Sequence, residues 1–413
     1  MAISAAVAAA IAVGTITWLI VRARGRPQEN SRPAPDASRR IVSIVALGHE
    51  GSGKTVLLAS MWRELAIEGA RRVRVVADTP QDEVVLQGLC SEIENPESER
   101  FPPGTTLGEA KEWKFTVQAR NPIGPPVDVF KFSYYDYPGE LLDEMAKGRE
   151  PSGAFAHALQ SADIVVGILD GQMVAHLMSH GADDVFAGRL TSLCLALSRR
   201  EVTTLHIMIT KWDLMKGRYP LERVIARLKE FNGLFRNLLE TPRVGGVRII
   251  PVSALGTNGF VYEDKATRLM RKSATRGWFP QYVVAPLGCT IPDVLATDVQ
   301  VLRDLEVNKR KPVVSRQDVS GVFFWVTLVL GLAVPLGPAP AIVSAIREIA
   351  VKGSLDKLMD SFSGVIEHAR RRDPPRKLDD ASGLVRALSY LREEVDRMER
   401  DIPAARLTVP GGG

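Results

Sequence analysis

One eight-residue stretch constrains this chain more than any other. Residues 41–47, IVSIVAL, form an uninterrupted apolar run of the kind that makes a strand buried on both faces. They lead directly into Gly48-His49-Glu50-Gly51-Ser52-Gly53-Lys54-Thr55, and residues 55–66, TVLLASMWRELA, follow with helical apolar spacing. Strand, G-x-x-x-x-G-K-T and helix, in that order, is the pattern of a phosphate-binding loop. Gly48, Gly51 and Gly53 let the backbone curl so that its N–H groups, that of Ser52 included, point inward at an anion. Lys54 supplies a point charge to the β- and γ-phosphates of a nucleoside triphosphate. Thr55 offers its hydroxyl to Mg2+ and begins a helix whose N-terminus favours negative charge. A glycine-rich surface turn would need neither the buried strand before it nor the helix after it.

Beyond the loop, short apolar strands alternate with amphipathic helices. Residues 71–76, 127–136, 162–171, 203–210 and 247–253 read as strands, and 82–93, 186–200 and 221–240 as helices. This alternation predicts an α/β fold, a mostly parallel sheet flanked by helices, over residues 41–310. Three further groups fall at strand ends. Asp136-Tyr137-Pro138-Gly139 follows an apolar strand, where a carboxylate can hold Mg2+ through water and the Gly139 N–H can sense a γ-phosphate. Thr210-Lys211-Trp212-Asp213 ends another strand. The Asp213 carboxylate can accept from the N1–H and exocyclic amine of guanine, a donor pair that adenine lacks, and the Lys211 stem can cover the ring face. Ser253-Ala254-Leu255 ends the next strand, where a backbone N–H can meet the guanine O6.

These four groups, in this order, resemble the boxes of the Ras-like and translation-factor-like P-loop GTPases over residues 41–255. GHEGSGKT resembles the phosphate loop, DYPG the switch II box, TKWD the base-specificity box and SAL the last box. The resemblance implies a nucleotide-gated switch with GTP, GDP and Mg2+ as ligands, and a protein effector or GTPase-activating partner. With the N-terminal segment described below, the chain is similar to the β-subunit of the signal-recognition-particle receptor and to membrane-linked bacterial double-GTPases.

Two departures stand out. Roughly eighty residues separate Thr55 from the DYPG box, and the switch I threonine implied by the resemblance, a further Mg2+ ligand, falls on Thr105 or Thr106, with Thr106 preferred. Glu140 occupies the position where Ras-like members carry a water-positioning glutamine. As a catalytic group it could accept a hydrogen bond from water, but it would sit beside a polyanion, which implies slow hydrolysis or a partner that supplies a cation. Alternatively it only opens the switch II helix, where an acid suits the dipole.

Residues 1–21 carry no charge, and Arg22, Arg24 and Arg26 follow them. About 20 apolar residues span a bilayer, and positive charge after the run, not before it, predicts an outside N-terminus and a cytoplasmic remainder, unlike a secretory signal. Residues 22–40 are polar and proline-rich, a linker. A second uncharged run, 319–346, is dense in Gly and Pro in its middle. It admits a single crossing, a hairpin seated in the membrane or an apolar core element, and the Arg-rich stretch 370–372 argues against the crossing. Residues 347–413 form a helical tail whose apolar positions through Leu391, Val395 and Met398 suit packing on the protein's own body.

Net charge is +5 over 413 residues, without a basic stripe interleaved with aromatics, so no nucleic-acid partner is expected. Cys90, Cys194 and Cys289 are too scattered for a metal site or a disulfide framework. His176 and His180 share an i, i+4 spacing but lack further ligands, and His49 and Glu50 lie at loop positions whose side chains face away from phosphates. The expectation is therefore a membrane-anchored GTP-binding switch that hydrolyses GTP, with Lys54 and Glu140 as the candidate catalytic groups. Two rivals remain: a GTP-holding membrane scaffold with little hydrolysis, and a P-loop ATPase that happens to carry TKWD.

Overall fold

The computed structural model describes residues 41–68, 73–95, 101–102, 111–119, 126–137, 139–147, 149, 153–181, 183–198, 205–241, 243, 246–258, 260–264, 270–273, 276–290, 293 and 375–406. The N-terminal apolar run, the linker, the 319–346 run and the switch I candidates Thr105 and Thr106 all lie outside the described residues. Among the described residues no helix is long and apolar enough to cross a membrane.

The elements run β1 (Ile41–Gly48), α1 (Lys54–Arg63), a π-helical turn Glu64–Glu68, β2 (Val73–Ala77), α2 (Pro80–Glu94), β3 (Lys111–Ala119) and β4 (Val127–Asp136). Next come α3 (Glu140–Ala146), α4 (Gly153–Ser161), β5 (Ile164–Leu169), α5 (Gly171–His180), α6 (Asp184–Ser198) and β6 (Leu205–Ile209). After them stand α7 (Leu221–Phe231), α8 (Gly233–Glu240), β7 (Val247–Pro251), a small hairpin of β8 (Val261–Glu263) and β9 (Met270–Lys272), and α9 (Pro375–Asp401). Seven strands form one sheet in the order β2-β3-β4-β1-β5-β6-β7. From β4 to β7 every neighbour is parallel, whereas β2, β3 and β4 pair antiparallel.

The patterns explain the layers. β1 is central and covered on both faces, with Val42, Ile44, Val45, Ala46 and Leu47 all buried, as its continuous apolar run requires. β3 was not evident as a strand from sequence, although it alternates. Trp113, Phe115, Val117 and Ala119 are buried, while Glu112 and Lys114 face water. It inserts between β2 and β4, so the strand expected near 71–76 is an edge strand and not the neighbour of β4. The single helix expected over 221–240 is two helices. Asn232 stops α7 and caps α8, its side chain accepting from Phe235 N at 2.9 Å. α2 is started by Thr79, whose hydroxyl accepts from Asp82 N, with Pro80 in the first turn.

α9 lies on the sheet at β2, β3 and β4 and buries Ala387, Leu391, Val395 and Met398, so this part of the tail packs on the body. A polar clamp holds its end. Arg248 on β7 donates to both oxygens of Asp293 at 3.0 and 3.1 Å, to Glu399 at 2.6 Å and to the Ala405 carbonyl at 3.3 Å. His206 of β6 bonds the same Asp293 at 2.7 Å. Burial works against ionisation of Asp293, yet the bonds and charges of His206 and Arg248 hold its carboxyl below the usual range.

Two consequences of this topology position the site. The chain leaves β1 with β4 on one side and β5 on the other, so the order reverses at β1. Because β4, β1, β5, β6 and β7 are parallel, their carboxyl ends also share one rim. In open α/β sheets the ligand crevice forms at such a reversal.

Candidate functional site

The phosphate loop runs from Gly48 at the end of β1 into α1. Gly51 and Gly53 have φ of +76° and +88°, left-handed values that a side chain would strain, so the glycine spacing recognised in the sequence is a backbone requirement. Ser52 N donates to His49 O at 3.2 Å, closing the turn. Lys54 is buried, and its ammonium donates to Gly48 O at 2.7 Å and His49 O at 3.2 Å. It is thereby held inside the curl of the loop. Burial lowers its pKa, opposed by the charges of Asp136 and Glu50.

Asp136, the last residue of β4, lies beside Thr55. The Thr55 hydroxyl donates to Asp136 Oδ2 at 3.3 Å. A hydroxyl and a carboxylate side by side at the mouth of the loop are hard oxygen donors of the kind Mg2+ takes, the hydroxyl directly and the carboxylate through water. Among the described residues no group of three or more His, Cys, Asp or Glu could hold a metal; the rings of His176 and His180 stack 4.9 Å apart, and His180 Nδ1 lies 2.7 Å from the Ser179 hydroxyl.

Gly139 is tied to the loop by contact, not by conformation. A Cβ built on it would lie 2.3 Å from Glu50 N, 2.6 Å from His49 C and 2.9 Å from His49 Cα. No side chain fits there, and the DYPG backbone abuts the loop directly. Glu140 is the first residue of α3, consistent with an acid at a helix N-terminus.

The TKWD group is built from two strand ends. Thr210, after β6, donates its hydroxyl to Ser52 O at 2.7 Å and to Leu169 O at 3.1 Å, joining TKWD to the phosphate loop. Lys211 is left-handed, with φ of +48°, and its ammonium donates to Asp170 at 2.9 Å. Trp212 N donates to Val252 O at 3.1 Å. Asp213 accepts from the Ser253 hydroxyl at 2.6 Å, and the same hydroxyl accepts from Gly256 N at 3.1 Å. Burial raises the Asp213 pKa, partly offset by its bond to Ser253. The Ala254 carbonyl accepts from Ser60 Oγ at 2.9 Å and from Trp278 Nε1 at 2.7 Å.

The structure thus assembles Gly48, Gly51, Ser52, Gly53, Lys54, Thr55, Asp136, Gly139, Thr210, Lys211, Asp213, Ser253 and Ala254 on one rim. His49 turns away, as expected, with Nε2 set 2.9 Å from Arg189 O and 2.8 Å from Ser192 Oγ on α6. Sequence reasoning missed Asp170. It follows β5 directly, caps α5 by accepting from Gln172 N at 2.9 Å and anchors Lys211. Its signal was an Asp-Gly pair directly after an apolar strand, the same placement that singled out Asp136. Ser60, Ser192 and Trp278 carried no local signal.

No family model and no curated protein matches the chain. Among solved structures it is similar to the signal recognition particle receptor SRb-GTP/SRX complex from Chaetomium thermophilum, at 19% identity over 52% of this chain and 92% of that one, with a TM-score of 0.29. It is also similar to sup35 complexed with GDP, at 16% identity over 55% and 40%, TM-score 0.25. A third is the S. cerevisiae Ski7 GTPase-like domain bound to GDP and inorganic phosphate, at 15% identity over 59% and 48%, TM-score 0.29. The matches span less than half of the sup35 and Ski7 chains. At these values the functional reading rests on the geometry of the site itself.

Proposed function

We propose that this protein binds GTP and GDP with Mg2+ and hydrolyses GTP as a nucleotide-dependent switch. One observation carries the reading. The Thr210 hydroxyl bonds Ser52 of the phosphate loop at 2.7 Å, while three residues later Asp213 is held by Ser253 at 2.6 Å. A phosphate cradle and a carboxylate suited to the guanine edge are therefore two ends of one connected surface. The connection disfavours an ATPase, because a buried carboxylate facing the 6-amino edge of adenine finds no matching donor pair.

In this reading the loop amides and Lys54 bind the phosphates, and Lys54 leaves the Gly48 and His49 carbonyls to do so. Thr55 and Asp136 would hold Mg2+, with Thr106 or Thr105 as a further ligand; the ion supplies charge neutralisation on the phosphates. Lys211 covers the base while Asp170 steadies its ammonium. Gly139, packed on the loop at Glu50 N, reports a γ-phosphate to α3, and a protein partner reads that movement. Glu140 in place of a glutamine makes hydrolysis slow or partner-assisted. We further propose that residues 1–21 anchor the chain in a membrane with the nucleotide domain cytoplasmic. Protease protection of tags at either end of the chain in sealed vesicles tests that topology.

The decisive experiment is Asp213→Asn. Exchanging the carboxylate for an amide should lower GDP affinity at least ten-fold, on the order of one lost charged hydrogen bond, and raise affinity for xanthosine diphosphate. An unchanged preference would show that Asp213 does not face the base. Single-turnover phosphate release from bound GTP then separates a switch from a scaffold that only holds nucleotide.

A further inference from the structure

The loop after β7 is held by a segment that belongs to none of the four boxes. Ser253 N donates to Gln281 O at 3.0 Å, and Gln281 N to Ser253 O at 2.8 Å. Gln281 Nε2 donates to Thr257 Oγ1 at 2.9 Å, and the indole N–H of Trp278 to Ala254 O at 2.7 Å. The two segments touch so closely that a Cβ on Gly256 would stand 2.0 Å from the Phe279 carbonyl oxygen.

Trp278 also reaches the phosphate side. It is 3% exposed, and the Arg63 guanidinium lies 4.5 Å from its ring centroid. Arg63 ends α1, the helix that the phosphate loop opens. Ser60, one turn earlier on α1, is the second donor to Ala254 O, at 2.9 Å, its hydroxyl shared with Val56 O of the same helix at 2.7 Å.

A trans peptide is planar, with its C=O and N–H pointing opposite ways, and there are no cis peptides among the described residues. Because Ser253 O is held by Gln281 N, the Ala254 N–H points away from the Trp278–Gln281 segment. Because Ala254 O is held from two sides, the next peptide plane is fixed as well. The direction of the Ala254 amide is therefore set by residues far from it in sequence.

We propose that Trp278 is a positioning residue for base recognition. Together with Ser60 it locks the Ala254 carbonyl, and with it the peptide that carries the Leu255 N–H, so that this N–H stands beside the Ala254 N–H set by the Ser253–Gln281 pair and both are aimed at the 6-keto oxygen of the purine. This rests on the guanine reading above and extends it to a residue outside the boxes. The 6-keto group of guanine and hypoxanthine accepts a hydrogen bond, whereas the 6-amino group of adenine donates one, so a fixed N–H favours the first two. Asp213 reads the neighbouring N1–H and 2-amino groups, the second of which hypoxanthine lacks.

The test uses the full chain with Trp278→Phe, which keeps a ring under Arg63 but removes the donor, and Ser60→Ala, which removes the other donor with almost no change in volume. Affinities for GDP, IDP and ADP are measured by competition against a labelled nucleotide. Each variant should weaken GDP and IDP together by about five-fold, the worth of one hydrogen bond, and leave ADP unchanged. The keto-over-amino preference narrows while the GDP-to-IDP ratio stays constant. An unchanged GDP-to-ADP ratio in a folded variant would overturn the proposal. So would equal weakening of all three nucleotides, the signature of packing damage. Ser60→Ala keeps the proposal exposed to refutation even where Trp278→Phe does not fold. Failure of the guanine reading looks different, since the unaltered protein would then show no preference for GDP over ADP.

Discussion

Gly139→Ala tests the contact on which the proposed switch depends. The added carbon would lie 2.3 Å from Glu50 N and 2.6 Å from His49 C, where heavy atoms at rest stand about 3.5 Å apart. One side must retreat by about 1.2 Å. The phosphate loop cannot easily be that side. His49 is held at Arg189 O and Ser192 Oγ, and its carbonyl accepts from Ser52 N and Lys54 Nζ. The DYPG segment and the start of α3 must therefore move away from the loop. Overpacking of this kind costs about 1–3 kcal/mol of stability. A displacement near 1 Å at a reacting centre costs roughly 100-fold in rate. Urea unfolding should show the first loss, and single-turnover phosphate release from GTP the second. GDP affinity should hardly change, because the loop itself stays in place. Gly188→Ala is the control, since nothing lies within 4 Å of its Cβ and it sits in α6; it should be neutral or slightly stabilising. A Gly139→Ala protein with ordinary stability and ordinary hydrolysis would refute the close approach and its role together.

The clamp on α9 makes two further predictions. Arg248→Leu leaves the buried Asp293 carboxylate with His206 as its remaining partner in the clamp and removes the bonds to Glu399 and Ala405 O. The loss should be about 3–5 kcal/mol by denaturant unfolding, and faster proteolysis within α9 should accompany it. The same carboxylate gives stability a definite pH dependence. Its folded pKa is depressed, so its contribution is complete above the unfolded value of about 3.9 and is lost as pH falls through the lower folded value. Acid unfolding should therefore deepen below about pH 4. In Asp293→Asn that portion of the slope should disappear, and an unaltered acid limb would exclude Asp293 as its source.

What could be recognised from sequence was local in the chain. Binding phosphate through backbone amides demands glycines at left-handed positions and a lysine at fixed spacing, so GHEGSGKT declares itself within eight residues. Asp136 and Asp213 could be singled out because one ends an apolar strand and the other stands four residues after one, and parallel strands bring their carboxyl ends to one rim. β3 was harder. Its alternation of Trp113, Phe115, Val117 and Ala119 was present, but it lay inside the long stretch between Thr55 and Asp136 and bore no motif. The break at Asn232 was also visible only as a residue type, since α7 and α8 share one amphipathic pattern.

The sequence by itself therefore determined the α/β class and singled out the residues proposed to meet phosphate, metal and base. Only the tertiary structure decided what holds them. Lys211 is steadied by Asp170, His49 is seated against α6, Gly139 is a glycine because the phosphate loop occupies the space of a side chain, and the Ala254 carbonyl is held by Ser60 and Trp278. Such contacts join residues far apart in the chain, as Ser60 and Ala254 show, 194 positions from each other. Their energies depend on distances set by packing, and no periodicity along the chain records those distances.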